Sequence, residues 1–272
     1  MNIFNKLATI DRRIIFLLIG IVVIIPLILK LRMPVRISQE VRSAYETLED
    51  LPAGSVVLAS IDYDATSAPE LTPMFRAFLR QCFRNKLKVI YTGHLAIGLP
   101  LAQFDLDQMT EEMGAVYGED YINIGYRPGF TAVMIGMGRE IRDFFAVDYR
   151  GVPVDSFPIM KNVHNYDDIA LIVPFAHGLT AEYWAQYVVS RFGVKMFTCV
   201  TGVMAPGLYP YLQSNQITGL IGGLQGAAEY ETLVEHPGTG TFGMPAQSIA
   251  HLLIIAFIIF GNIGYFVSRR KS

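Results

Sequence analysis

Six short apolar runs, separated by longer amphipathic stretches, limit what this chain can fold into. The runs cover 55–61, 88–91, 121–126, 169–175, 195–201 and 217–221, and the stretches between or after them cover 69–83, 101–117, 131–145, 180–192 and 224–235. Most of the runs are continuously apolar and do not alternate, as strands do when both faces of a parallel sheet are covered. Strand and helix in alternation require crossovers, which lead to parallel pairing. The expected fold class is α/β, a doubly wound, mostly parallel sheet of Rossmann-like or flavodoxin-like three-layer type. Residues 146–165 break the rhythm with Pro153 and Pro158 and read as an excursion between two halves.

Two further apolar runs lie near the chain ends. "IIFLLIGIVVIIPLIL" (14–29) and "LLIIAFIIFGNIGYFV" (252–267) contain no charged residue. Each falls slightly short of the roughly 20 residues that span a bilayer. Lys30 and Arg32 can snorkel beyond the first, and 248–251 lengthen the second. They read as two terminal transmembrane helices, 14–31 and 249–268. No small-residue cleavage site follows the first, so it reads as a retained anchor. The cations Arg269, Arg270 and Lys271 follow the second span and place the C-terminus in the cytoplasm of a bacterial-type inner or plasma membrane. Two spans then put both termini on that side and the α/β domain outside. The expected organisation is a cytoplasmic tail (1–13), the first span, a juxtamembrane stalk helix with linker (32–54), the α/β domain (55–235), a Gly/Pro-rich linker (236–248), the second span and a basic cytoplasmic tail (269–272). Ser38 is positioned to cap the stalk helix, and Pro52 to stop it.

These two runs account for a composition of 52% apolar and only 17% charged residues. Between Glu40 and Gln247, 13 Lys and Arg face 23 Asp and Glu, a net of about −10 that argues against nucleic acid as a partner. Cys82 and Cys199 stand alone, with no metal-ligand spacing around them. Asn262, beside Gly261 and with His251 at the start of the span, is a polar group in an apolar helix. It points to assembly with another membrane protein or a second copy of this chain.

In open parallel sheets ligands bind at the carboxyl ends of the strands. Polar residues expected there are Asp62 and Asp64, Thr92 and His94, Arg127, and His177. The last strand leads into "GLIGGLQGAAE", with Gly222, Gly223 and Gly226 where phosphate-cradling loops lie. Its spacing is neither G-x-G-x-x-G nor a P-loop, and close helix–sheet packing through Gly226, Ala227 and Ala228 explains it as well. His94 and His177 lack the spacing of zinc ligands, and no serine sits in a G-x-S-x-G elbow.

"DYDAT" (62–66) resembles the first motif of the haloacid dehalogenase-like phosphatases. The resemblance implies Asp62 as nucleophile, Asp64 as acid/base, Thr92 as a phosphate contact and Mg2+ as cofactor. Beyond these five residues the chain departs from that family. Pro174, Thr201 and Gly222 occupy the strand ends where a further metal-binding acid is needed, and no flap is inserted before the next helix. The same stretch also reads as a cap, with Asp64, Thr66 or Ser67 starting a helix near Pro69 and Glu70 in its first turn. Capping accounts for Asp64 but leaves Asp62 unexplained. The function expected is a two-pass membrane protein displaying an α/β binding or assembly module, with a small-anion or nucleotide-type ligand at the carboxyl edge. The alternative is a membrane-tethered, phosphoesterase-like hydrolase using Asp62, Asp64 and Mg2+.

Overall fold

The computed structural model describes residues 11–269. The expected terminal tails therefore fall largely outside the described residues. Contacts divide the chain into two units, Val35–Gly240 and a second comprising the two chain ends.

Within Val35–Gly240 the elements run α2 (Gln39–Glu49), β1 (Val56–Asp62), α3 (Ala68–Arg84), β2 (Lys88–Gly93), α4 (Gly98–Met113), β3 (Tyr121–Tyr126), α5 (Phe130–Met137), β4 (Leu171–Ala176), α6, β5 (Thr198–Val200), α7 (Ala205–Gln213), β6 (Leu220–Gly222) and α8 (Gly223–Leu233). α6 is one continuous helical stretch, 180–192, with a π-helical middle at Trp184–Val189. All six strands pair in parallel, in the order β3-β2-β1-β4-β5-β6. This is the Rossmann-type order, and its direction reverses between β1 and β4. The α/β class and parallel sheet expected from the apolar runs are present.

Successive strand residues face opposite sides, so β1 feeds two cores. Val57, Ala59 and Ile61 join the first, where Phe75 and Phe78 of α3 meet Phe175 edge-on at 5.1 and 5.4 Å. Leu58 joins the second, with Ile90, Ile172, Met134 and Trp184. α2, α3, α4 and α8 contribute to the first core, and α5, α6 and α7 to the second. Cys82 and Cys199 are free thiols buried in the first, and burial raises both their pKa values.

The segment expected as a stalk is instead part of the domain. Val41, Ala44 and Leu48, one face of α2, are buried in the first core. The helix lies so close to Gly219 that a Cβ there would sit 2.6 Å from that of Ala44. Ser38 makes no side-chain cap to its own helix. Its N–H and hydroxyl both donate to Glu229 of α8, at 2.8 and 2.6 Å.

α7 has no counterpart among the expected helices, because "APGLYPYLQ" reads as loop. Pro206 falls in the first turn, where a missing N–H costs nothing, and Leu208 anchors the helix in the second core. The helix expected over 131–145 ends at Met137. The rings of Phe144 and Phe192 press on Gly136 and Gly138, leaving no room for a Cβ at either position.

The chain ends form long helices of their own. α1 covers Arg12–Ile28 and α9 covers Thr239–Arg269. One helix among the described residues, α9, is long and apolar enough to cross a membrane, over Thr239–Phe266. At 17 residues α1 rises only about 26 Å, less than the hydrocarbon thickness, so among the described residues one end of the chain, and not both as expected, carries a helix of spanning length. Asn262, expected to bond across helices, donates to the Ile258 carbonyl of its own helix at 2.9 Å.

The expected Gly/Pro-rich linker is mostly helical, since α9 begins at Thr239 and continues through Pro245. The reason lies in α8. The buried Glu231 carboxylate accepts N–H bonds from Gly238 (2.9 Å) and Gly240 (3.0 Å), satisfying the first donors of the long helix. We expect Glu231→Ala to lower stability by about 1–3 kcal/mol. Urea unfolding of the full chain in mild detergent, followed by fluorescence of Trp184, would measure it.

Candidate functional site

Asp62 ends the central strand β1 and is completely enclosed. Two glycines explain how the chain closes over it. A Cβ on Gly93 would lie 2.5 Å from the Ile61 carbonyl oxygen, and one on Gly98 would lie 2.7 Å from that of Tyr63. Without those Cβ atoms, the loop from β2 to α4 can lie directly across the end of β1. There the His94 N–H donates to Asp62 Oδ1 at 2.6 Å, while the Ser60 hydroxyl donates to Oδ2 at 2.6 Å. Burial raises the Asp62 pKa above its ordinary value of 3.8, against the opposing pull of His94 and the Ser60 bond.

His177, just after β4, reaches the same strand end. Its backbone N–H donates to the Asp62 carbonyl at 3.3 Å and its Nδ1 lies 3.0 Å from that oxygen. A carbonyl can only accept, so Nδ1 carries a proton and the contact fixes the ring's orientation. The His94 ring is also buried, 5.6 Å from the Phe130 ring and 5.8 Å from Trp184 between centroids. Burial lowers its pKa below 6.5, and the Asp62 charge acts in the opposite direction. The Arg127 carbonyl is near the ring, yet neither ring nitrogen completes a hydrogen bond.

Beside this group opens a cavity of about 650 Å³, lined by Leu95, Phe130, Thr131, His177, Leu179, Thr180, Tyr183 and Tyr187. It lies where the sheet order reverses, at the carboxyl edge. The first turns of α5 (Phe130, Thr131) and α6 (Thr180) border it, and helix N-termini present unpaired N–H groups. Phe130 has φ +33°, a conformation that bulky L-residues rarely adopt, and it follows Gly129 at φ +115°.

The structure brings Asp62, His94 and His177 together and separates the remaining candidates. Asp64 is no partner to Asp62. Its Oδ1 accepts from the N–H and hydroxyl of Thr66 (2.9 and 2.6 Å) and of Ser67 (3.2 and 2.9 Å), closing the turn into α3. Those bonds lower its pKa to about 2, so it has no proton to exchange near neutrality. An enclosed Asp62 and a capping Asp64 do not present a nucleophile and an acid/base to solvent. Nor does Thr92 offer a phosphate contact, because it is buried and its hydroxyl donates to the Gly125 carbonyl across to β3 at 2.7 Å. The Arg127 guanidinium donates to the Phe144 carbonyl and lies 5.8 Å from the Phe145 ring. Gly222 ends β6 and Gly223 and Gly226 lie in the first turn of α8, at a strand three places from β1 and so about 14 Å away. Their surroundings are already filled. A Cβ on Gly222 would lie 2.8 Å from Ala205, and one on Gly226 would lie 3.1 Å from Ile221. Gly223 (φ +64°) faces the Glu70 carboxylate, which accepts the Gly202 N–H at 2.8 Å where a phosphate would need to sit. Among the described residues no three His, Cys, Asp or Glu side chains gather as a metal site requires.

Sequence reasoning missed the aromatic wall of the cavity. Tyr183 and Tyr187, like the buried Trp184 between them in sequence, read as ordinary core or rim residues, and nothing in "AEYWAQYVV" signals a π-helical turn. No known protein family matches the chain, and comparison with curated proteins finds no match.

A raised carboxyl pKa means that the folded protein holds the Asp62 proton more tightly than the unfolded chain. Below 3.8 both states are protonated and no penalty arises, and above that value ionisation in the fold costs stability as pH rises. Asn in place of Asp62 can accept from the His94 N–H with its oxygen and donate to the Ser60 hydroxyl oxygen with its amide, without that cost. The stability of Asp62→Asn relative to the wild type is therefore expected to increase from pH ~4 to pH ~7. Urea midpoints of the two proteins at both pH values would check it, and a constant difference would contradict the burial account.

Proposed function

We propose that this chain is a membrane-anchored binding protein. Its α/β domain takes a small ligand with a flat, largely apolar body and a single negative charge at the β1–β4 edge. The observation that carries this reading is the cavity itself, which is about the size of small-molecule sites and walled by Phe130, Tyr183 and Tyr187. The N-termini of two helices, together with His177, supply its polar end. No Lys or Arg lines it, which favours a lone carboxylate or phosphodiester over a polyphosphate. The acidity of the domain supports the same preference. A hydrolase built on Asp62, Asp64 and Mg2+ has no geometric observation in its favour.

Two spans, with both termini in the cytoplasm and the domain outside, complete the proposal. α9 supports it through its apolar length, with large apolar side chains such as Leu252, Ile255, Ile258 and Phe266 exposed along it. α1 supports it through Phe16, Leu17, Ile24 and Ile28, large apolar side chains exposed along a helix with no acidic residue. Tilt, bilayer thinning and the snorkelling of Lys30 and Arg32 would accommodate its shortness. Asn262 keeps an amide oxygen within the apolar helix, which supports assembly with another membrane protein or a second copy.

Benzoate is the simplest probe of the pocket. Calorimetry on the full chain in mild detergent is expected to detect binding, weakened roughly tenfold in Tyr183→Ala. A wild-type protein that binds neither benzoate nor any other aromatic carboxylate at millimolar concentration removes this reading. For topology, reporters fused after Ser272 are expected to be active on the cytoplasmic side only, and reporters inserted in the exposed turn at Ser214–Asn215 on the outer side only.

A further inference from the structure

We propose that the cavity has an inner subsite, between the His94 imidazole and the Trp184 indole behind the Phe130 ring, that receives a hydroxyl group of the ligand. The inference rests on the binding reading above and names the chemistry that the pocket selects.

Three buried side-chain atoms lack a hydrogen-bond partner among the described residues: Nδ1 and Nε2 of His94, and Nε1 of Trp184. All three belong to one ring pair, 5.8 Å apart between centroids, with His94 1% and Trp184 0% exposed. Buried polar groups in folded proteins are almost always paired, so a cluster of orphans marks a place where a partner belongs. The inventory of these atoms defines that partner. A neutral imidazole offers one N–H and one lone pair, and an indole offers an N–H only. A carboxylate cannot donate to the imidazole lone pair, an ammonium cannot accept from the indole, and a methyl group satisfies neither. A hydroxyl accepts from Trp184 Nε1–H and donates to the unprotonated His94 nitrogen.

Phe130 adjoins both this ring pair and the open cavity. Its ring lines the cavity and lies 5.6 Å from His94 and 6.4 Å from Tyr183. It is held at φ +33° directly after Gly129, whose own φ of +115° leaves the loop end free of side-chain hindrance. The ring thus touches both the cavity and His94, and it stands on a backbone conformation that a bulky residue rarely adopts. Trp184 opens the π-helical turn of α6, an irregularity that recurs at functional sites. A ligand lying against Tyr183 with its charge at the helix N-termini would direct a hydroxyl on its far side inward, displacing Phe130.

Trp184 is the single tryptophan of the chain, so its emission reports on this subsite directly. The experiment compares benzoate with 4-hydroxybenzoate on the full chain in mild detergent, by calorimetry and by Trp184 emission. The expected result is binding of 4-hydroxybenzoate at least about tenfold tighter than benzoate, with a saturable emission change that benzoate does not produce. His94→Phe is expected to abolish the advantage. Trp184→Phe, read by calorimetry, is expected to do the same and serves if the His94 variant does not fold. Phe130→Ala is expected to raise acrylamide quenching of Trp184. Equal affinities for the two probes in the wild type would overturn the inner subsite and leave the pocket standing, as would an advantage that survives in both ring variants. Binding of neither probe would remove the pocket and the subsite together.

Discussion

A carboxylate enclosed at the end of the central strand organises the carboxyl edge of this protein. Asp62 cannot be hydrated where it lies, so its oxygens must be satisfied by the chain. The Ser60 hydroxyl and the His94 amide do so, and the second of these fixes the loop between β2 and α4 across the end of β1. The Asp62 carbonyl in turn orients His177 from the far side of the switch point. One residue thus ties together the ends of β1, β2 and β4, the three strands around which the cavity forms. Its hydrogen bonds hold the neighbouring loops, and the residues that line the cavity are others.

A second pair of acids does comparable work elsewhere in the domain. Glu229 and Glu231, two residues apart on α8, each accept N–H bonds from the beginning of another segment. Glu229 holds Ser38 at the start of α2, and Glu231 holds the first turn of α9. Both acids are almost fully buried. A charge taken out of water needs strong partners, and unpaired amides at helix starts are such partners. Much of the domain's net negative charge remains on its surface, but these acids are internal fastenings.

The strands were legible because a sheet covered on both faces demands continuous apolar runs, and β3 coincides with the run at 121–126. Asp64 was legible as a cap because its signal is local, set by Thr66 and Ser67 within three residues. α7 was hidden by prolines that tertiary packing tolerates. The glycine-rich turn at Gly222 looked like a ligand loop, since sequence does not reveal that Glu70 and Ala205 already occupy the adjoining space. Similarly, Thr92 and Arg127 looked available until β3 and the Phe144 carbonyl were found to hold them.

By itself the sequence determined the layered class of this protein, the parallel sense of its strands and the apolar character of its ends. Each of these follows from residue period and composition, which are local properties. Strand order was decided only in three dimensions, and with it the position of the switch point and the meeting of Asp62, His94 and His177. Such meetings depend on which crossover packs against which face, and on two glycines that let one loop lie on another strand's end. The unpaired nitrogens of His94 and Trp184 belong to the same category, because a missing partner can be recognised only when every neighbour is in place.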